Sequence, residues 1–227
     1  MNALTQRDVG VIIDASFAVL TSCGILKGPV SSFEPDLYER AQGRIEPHFE
    51  VPQTTISPLM RRFLFHFAHV TRPQFIYGAG TYVGFAFAWL ISGRQARDGD
   101  FNARGVDCDE AATIIARRNM LRLEATGALD IRIADALIDL KARRDPIDLL
   151  FIDVDAADTR KSLYTDILEC AKPLLKSGAL ILAHDPLVPA FRNDFERFFA
   201  YIEEQDCFGP NCVLPLDDCG ISATVVR

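Results

Sequence analysis

Phe75-Ile-Tyr-Gly-Ala-Gly-Thr-Tyr-Val-Gly84, followed by Phe85-Ala-Phe-Ala-Trp-Leu-Ile91, is the stretch of sequence that decides the fold. A short apolar run, closely spaced glycines and a segment with helical apolar spacing predict a strand, a tight turn and a helix. Glycines at such a turn let the backbone approach a ligand, and the N–H groups that open the helix favour polar or anionic groups. The spacing is not that of the dinucleotide fingerprint, so the turn alone fits either a nucleotide site or a plain connection in an α/β domain.

Composition excludes several classes of function. The chain has 227 residues and a formal net charge of -7, with a pI near 5.1, which disfavours nucleic acid and acidic substrates as ligands. We find no linker, repeat or membrane-length apolar run, and therefore expect a single domain over residues 1–227, with short helices in residues 1–53 as an N-terminal cap on residues 54–227. The six cysteines form no CxxC pair and the N-terminus lacks signal-peptide features, which together predict a cytoplasmic protein.

Two other groups contain residue types that can bind metal ions or act in catalysis, but their spacing in the sequence is weak evidence for a site. Cys207, Cys212 and Cys219 fit no common zinc pattern, and no nearby histidine completes a set. His66 and His69 lie three residues apart on a predicted helix and could share a face. We favour half-buried structural imidazoles over a catalytic or metal-binding pair.

Beyond the glycine turn, the chain alternates between strand and helix patterns. Short helices are predicted within residues 1–50, and Ser57 with Pro58 reads as the cap and first residue of a helix. The predicted strands are Phe101–Val106, Leu129–Ile133, Ile147–Ile152 and Ala179–Ala183; the predicted later helices are Leu163–Leu175, stopped by Lys176-Ser-Gly178, and Phe191–Ile202; a hairpin joins Cys212–Leu216 to Ile221–Val226. This order predicts a doubly wound, mostly parallel sheet of the Rossmann-like α/β class.

Acidic residues and a histidine follow the predicted strands. Parallel α/β sheets bind ligands beyond the carboxyl ends of their strands, where Asp107, Asp135, Asp153 and the pair His184-Asp185 are expected to collect. Asp107 suits hydrogen bonds to ribose hydroxyls. The competing role is capping of the next helix, for which Asp109 is better placed.

Taken together, these pieces resemble the S-adenosylmethionine-dependent O-methyltransferases of the catechol and caffeoyl-CoA type, from about Thr54 onward. The likeness is carried by Thr54-Thr-Ile-Ser-Pro58, Gly80-Thr-Tyr-Val-Gly84, Gly105-Val-Asp107, Ala134-Asp135-Ala136, Leu150-Phe-Ile-Asp-Val-Asp155 and Pro173–Gly178 leading to His184-Asp185. It implies a class I methyltransferase fold, with seven strands and a reversed last strand, that binds S-adenosylmethionine or S-adenosylhomocysteine. The cofactor-binding residues it implies are Thr54, Thr55, Gly78, Gly80, Thr81, Tyr82, Gly84, Asp107, Cys108, Ala134, Asp135, Ala136 and Asp153.

Three positions depart from the family pattern. Gly78 stands where the family has a glutamate that organises the methionine end of the donor. Ala156 stands where it has a lysine that helps to deprotonate the acceptor, so the family's base is expected to be absent. His184-Asp185 replaces Asp-Asn, which leaves Asp153, His184 and Asp185 as candidate catalytic residues. They could hold a divalent metal ion, or His184 could act as a metal-free base.

Two functions follow from these matches and departures. The first is methyl transfer to a small molecule, as an O-methyltransferase of secondary metabolism, with which the excess of arginine over lysine is compatible. The second is a methyltransferase-fold protein that catalyses a non-methylating substitution or cyclisation, or serves as a subunit of a heteromeric enzyme, with the donor or its product as a structural ligand. The Phe-rich segments Phe63–Phe67 and Phe191–Phe199 predict a homodimer or a heteromer.

Overall fold

The glycine-rich segment forms the strand, turn and helix that the sequence predicts, at the centre of a seven-stranded sheet. This is seen in a computed structural model that describes residues 6–52, 55–97, 99–156 and 160–227. The helices among these residues are α1 (Gln6–Ser22), α2 (Pro35–Ile45), α3 (Pro58–Thr71), α4 (Phe85–Gln95), α5 (Glu110–Leu121), α6 (Ala136–Ala142), α7 (Leu163–Ala171) and α8 (Arg192–Glu204). The strands are β1 (Phe75–Ala79), β2 (Asn102–Asp107), β3 (Ala128–Ile133), β4 (Ile147–Ile152), β5 (Leu175–His184), β6 (Phe208–Leu214) and β7 (Ile221–Val226).

The order of the strands in the sheet is β3-β2-β1-β4-β5-β7-β6. Strands β1 to β5 pair in parallel, whereas β7 runs antiparallel to both β5 and β6. The predicted sheet with a reversed last strand is therefore confirmed. The chain reverses its lateral direction at β1 and β4, and the carboxyl ends of β1, β2, β4 and β5 form one edge where side chains from distant parts of the sequence meet.

The turn after β1 needs glycine for a steric reason. Gly80 and Gly84 have φ angles of 79° and 82°, which place both in the left-handed region that other residues rarely adopt. A Cβ atom on Gly80 would also collide with the backbone carbonyl of Asp153 at the end of β4. The glycine thus brings the turn into contact with the neighbouring strand and with the acid that follows it.

The N-terminal helices share the core of the sheet. The apolar cluster on one sheet face contains Ile13 and Phe17 of α1 together with Phe63 and Phe67 of α3. At 17 residues, α1 is longer than the short helices expected there. On α3, the Ser57 hydroxyl accepts a hydrogen bond of 3.1 Å from the backbone N–H of Met60, which confirms the predicted cap.

Burial of the phenylalanines removes the reason for predicting an oligomer. Phe63, Phe65 and Phe67 are buried on one sheet face, and Phe195 and Phe198 are buried on the other. These rings fill the two halves of the core and supply no apolar surface. The oligomeric state stays a prediction without this support.

The boundaries around β5 and β6 differ from those expected. Helix α7 ends at Ala171, and Lys176–Gly178 lies inside β5 and is not a helix stop. The pairing of β4 with β5 explains the error, since Ile147 faces Leu175 and Leu149 already faces Leu180, which leaves the intervening residues as a bulge. Strand β6 begins at Phe208, earlier than the hairpin pattern indicated.

No helix among the described residues combines the length and the apolar character needed to cross a membrane. Apolar clusters that include helix residues cover both faces of the sheet, in the way that parallel sheets require.

Candidate active site

Two cavities adjoin at the carboxyl edge of the sheet. One has a volume of about 420 Å³ and lies over the ends of β2 and β3, and the other has a volume of about 550 Å³ and lies over the ends of β4 and β5. Gly80, Tyr82, Asp153 and Asp155 line both cavities. The glycine turn and the end of β4 therefore form the boundary at which a molecule in one cavity would meet a molecule in the other.

The smaller cavity collects the residues predicted to hold a nucleoside. Its walls include Asp107, Cys108, Ala134, Asp135 and Ala136, all of which the sequence assigned to the cofactor. Apolar side chains complete them, namely Val106, Val154, Leu163 and Ile167. Acidic groups beside apolar walls suit a ligand that has both hydroxyls and a flat ring.

Asp107 is fixed in place by the backbone. One of its carboxylate oxygens accepts a hydrogen bond of 2.7 Å from the N–H of Tyr82, and the other accepts one of 2.9 Å from the N–H of Asp109. Asp109 caps α5, as predicted, with 2.9 Å between its carboxylate and the N–H of Ala112. Asp135 caps α6 through the N–H groups of residues 137 and 138, a role that the sequence did not predict.

The residues of the glycine turn divide between the cavities and the core. Thr81 lines the larger cavity with Thr55, and its buried hydroxyl has no hydrogen-bond partner among the described residues. Gly78 and Gly84 line neither of these two cavities, because Phe87 and the Thr81 methyl group cover Gly78, and Met120 covers Gly84. Thr54 lies outside the described residues.

An ionic cluster forms the floor of the larger cavity. The Lys161 ammonium lies 2.7 Å from an oxygen of Asp185 and 3.3 Å from an oxygen of Asp153. His184 Nδ1 lies 3.1 Å from Asp185 and 3.3 Å from Asp153. Two carboxylates are thus paired with two cationic or potentially cationic groups, as buried charges require.

The cluster perturbs the titration of its own members. Burial alone would raise the pKa of Asp153, but the charges of His184 and Lys161 outweigh it and lower that pKa to about 2. Burial would lower the pKa of His184 and of Lys161, but Asp153 and Asp185 outweigh it and raise both. Asp153 is therefore ionised and Lys161 is protonated at neutral pH.

Lys161 is the functional residue that sequence reasoning missed. The family pattern places a lysine directly after the acidic pair, and Ala156 at that position led to the expectation that no lysine serves the site. The ammonium of Lys161 instead reaches the cluster from a position five residues further along, ahead of α7. A signal was present, because Lys161 follows the acids closely and precedes an amphipathic helix, but only the fold shows where its side chain lies.

The donor set does not fit a divalent metal ion. A metal bound by Asp153, His184 and Asp185 needs their oxygens and an unprotonated ring nitrogen. The Lys161 ammonium already occupies the carboxylates, and Nδ1 of the histidine faces the same carboxylates as a hydrogen-bond donor. The three candidate ligands do come together, with ligand atoms within 4.8 Å of one another, and the metal site stays a prediction that these ion pairs oppose.

The structure places the histidine pair and the three cysteines outside the ionic cluster, except that Cys219 lies near it. His66 and His69 are buried, with Nε2 of His66 3.0 Å from the carbonyl of Ser31 and Nε2 of His69 3.1 Å from Glu34, so they are structural, as favoured. Among the described residues, Cys207, Cys212 and Cys219 do not come together as a metal-binding group. Cys219 alone borders the larger cavity, where burial and a hydrogen bond to Asp185 raise its pKa to about 12.

Comparisons with known proteins agree with this arrangement. Residues 78–186 match the family profile of a methyltransferase domain. A catechol O-methyltransferase from Niastella koreensis is 28% identical over 139 residues, which span 59% of this chain and 58% of that protein. The chain therefore aligns with little more than half of the length of this curated relative.

Solved structures match over nearly the whole fold. An O-methyltransferase from Bacillus cereus, in complex with S-adenosylhomocysteine, has a TM-score of 0.66 at 20% identity and covers 95% of this chain and 100% of its own. An O-methyltransferase from Streptomyces achromogenes, in complex with S-adenosylmethionine, has a TM-score of 0.63 at 16% identity and covers 99% of this chain and 100% of its own. The strand order and the solved structures show that the chain has the class I methyltransferase fold, and its residues 78–186 are similar to a methyltransferase domain.

Proposed function

We propose that this protein transfers a methyl group from S-adenosylmethionine to a hydroxyl oxygen of a small molecule. The observation that supports the proposal most is the meeting of two cavities at Gly80, Tyr82, Asp153 and Asp155, with the ionic cluster on one side of the boundary. Methyl transfer requires a donor and an acceptor to be held in line, and most of the rate enhancement comes from this positioning.

The smaller cavity suits the adenosine part of the donor. Asp107 offers carboxylate oxygens to ribose hydroxyls, and Leu163 and Ile167 offer apolar contacts to a purine ring. The unpartnered Thr81 hydroxyl offers a hydrogen bond to the methionine end, and Gly80 allows close approach of the backbone. The donor, when bound, supplies an electrophilic methyl group on a sulfonium centre.

His184 is the residue placed to remove the proton of the acceptor. Its Nδ1 faces Asp153 and Asp185, so in the neutral ring Nδ1 carries the proton and Nε2 is left as the acceptor. No partner for Nε2 is found among the described residues. A histidine oriented by carboxylates through one nitrogen and unpartnered at the other is the arrangement of a general base. Because the pKa of His184 is raised and Nε2 is buried, the base is the deprotonated ring, activity should rise as pH rises through that pKa, and the acceptor has to reach a buried nitrogen.

The walls of the larger cavity indicate the kind of acceptor. The apolar groups that line it include Val51, Pro52, Ile56 and Phe85. Among the charged groups, acids outnumber bases, with Asp153, Asp155, Asp185, Asp217 and Asp218 against Lys161 and His184. Charge repulsion disfavours an anionic acceptor, so the proposed acceptor is neutral or cationic, with an apolar body. A role in secondary metabolism stays a prediction.

Incubation with methyl-labelled donor and a panel of neutral and cationic phenols and alcohols tests this function. Label should appear in a product, and His184→Ala should lower turnover by about 10² to 10⁴-fold, the usual share of a general base. His48→Ala is the matched control, because His48 is exposed and lies outside both cavities. Product that forms without label, or forms equally well with S-adenosylhomocysteine, would favour the non-methylating alternative.

A further inference from the structure

Lys161 lies where a divalent ion would have to bind between the two acids of the site. Its ammonium contacts Asp185 at 2.7 Å and Asp153 at 3.3 Å, and its side chain is only 2% exposed. We propose that Asp153 and Asp185 bind the Lys161 ammonium in place of a metal ion, so that this site supplies its positive charge from the chain itself.

The oxygens facing the centre of the cluster already have donors. The Asp153 oxygen that contacts Lys161 is also the one that contacts His184, and the two oxygens of Asp185 are divided between the same two partners. Cys219 adds a hydrogen bond to Asp185. A metal ion would have to displace these contacts before it gained any ligand.

Aromatic rings keep the ammonium in position. Its nitrogen lies 5.3 Å from the centre of the Tyr164 ring and 5.4 Å from the centre of the Phe191 ring, both within the range of cation–π attraction. Both rings belong to the buried core on that side of the sheet. Lys161 therefore cannot swing aside into solvent without giving up contacts with two acids and two rings.

The cluster contains positive charge without a metal ion. The Lys161 ammonium offsets one of the two carboxylates, His184 offsets the second whenever its ring is protonated, and the raised pKa of Lys161 agrees with a stable ion pair. A divalent ion would add two further positive charges beside a fixed ammonium, which is unfavourable in a buried site. The prediction that no metal ion binds at the cluster does not depend on methyl transfer. The further prediction that a chelator leaves turnover unchanged rests on the proposed function.

Titration of the wild-type protein with Mn²⁺ alone, followed by electron paramagnetic resonance, tests the inference directly. No donor or acceptor is present, so the result does not depend on whether methyl transfer occurs. We expect the wild type to bind no Mn²⁺ at this site, so that Asp153→Asn leaves the amount of bound Mn²⁺ unchanged. Stoichiometric wild-type binding that Asp153→Asn abolishes would overturn the inference, whatever the variants below show.

The variant Lys161→Met removes the ammonium and keeps the length of the side chain. Because this variant leaves the acids unpaired, we expect it to bind Mn²⁺ at least about tenfold more tightly than the wild type. We expect the double variant with Asp153→Asn to lose that gain. Lys141→Met is the matched control, since Lys141 is exposed on α6. Circular dichroism confirms folding, and Lys161→Gln serves if the methionine variant does not fold. A folded Lys161 variant that binds no more Mn²⁺ than Lys141→Met contradicts the inference.

Discussion

Gly78→Ala should destabilise the protein, although the change adds only one methyl group. Gly78 lies in β1 opposite Gly105 of β2, and a Cβ atom on it would lie 2.8 Å from the Phe87 ring and 3.0 Å from the Thr81 methyl group. Because Phe87 is fully buried, its ring cannot move into solvent to make room. Overpacking of this kind costs about 1–3 kcal/mol.

Thermal unfolding followed by circular dichroism measures this cost. For a chain of this size, each kcal/mol lowers the melting temperature by about 2–4 °C, so we expect a fall of roughly 2–12 °C. Gly43→Ala is the matched control, because Gly43 lies in α2 with no atom within 4 Å of the added Cβ position. It should stabilise the helix by about 0.5–1 kcal/mol.

A double-mutant cycle identifies the cause of the change. Phe87→Leu removes the ring that the new methyl group meets, so the cost of Gly78→Ala should shrink in that background, with a coupling of about 0.5–3 kcal/mol. If Gly78→Ala has the same melting temperature as the wild type and shows no coupling to Phe87, the space over β1 is open and the reasoning fails. Gly78→Glu, which restores the residue of the resembled family, should then be tolerated as well.

Two further predictions concern ligand binding and pH. Asp107→Ala should weaken binding of S-adenosylhomocysteine by about 1–3 kcal/mol, the usual cost of losing hydrogen bonds to a charged group; calorimetry measures it, and unchanged affinity would rule out the ribose role. His66 has a pKa lowered from 6.5 to about 4, mainly by burial, so between these pH values the unfolded chain binds a proton that the folded protein excludes. His66 should therefore contribute a fall in the free energy of unfolding of about 1.4 kcal/mol per pH unit as pH drops, about 3 kcal/mol in all, and urea titrations should show a shallower pH dependence in His66→Gln but not in His48→Gln.

Much of the site was predictable because strands and their ends leave a local signature. The apolar run of β4 marks a buried strand, and the acid that follows such a strand must lie at the sheet edge. Asp107 and Asp153 were placed correctly for this reason, as were the caps Ser57 and Asp109. Each of these features depends only on residues adjacent in sequence.

The features that the sequence did not predict correctly depend instead on contacts between distant segments of the chain. The bulge in β5 becomes visible only through its pairing with Ile147, and the Phe-rich helices look like surfaces until the sheet covers them. The packing around Gly78 is of the same kind. Where the resembled family has a glutamate, Phe87 fills the space that a larger side chain would need.

Lys161 shows why a missing motif residue is weak evidence for a lost activity. The motif assigns the lysine by its distance along the chain from the acids, whereas contact with the acids depends on where the side chain lies in the folded protein. Lys161 reaches them from just ahead of α7, and its contacts with Asp153 and Asp185 satisfy both acids at once. The departure from the family pattern therefore lies in the connection between β4 and α7. A positive charge beside both acids is retained, but as an ammonium Lys161 does not restore the base of the family's lysine, which leaves His184 as the proposed base.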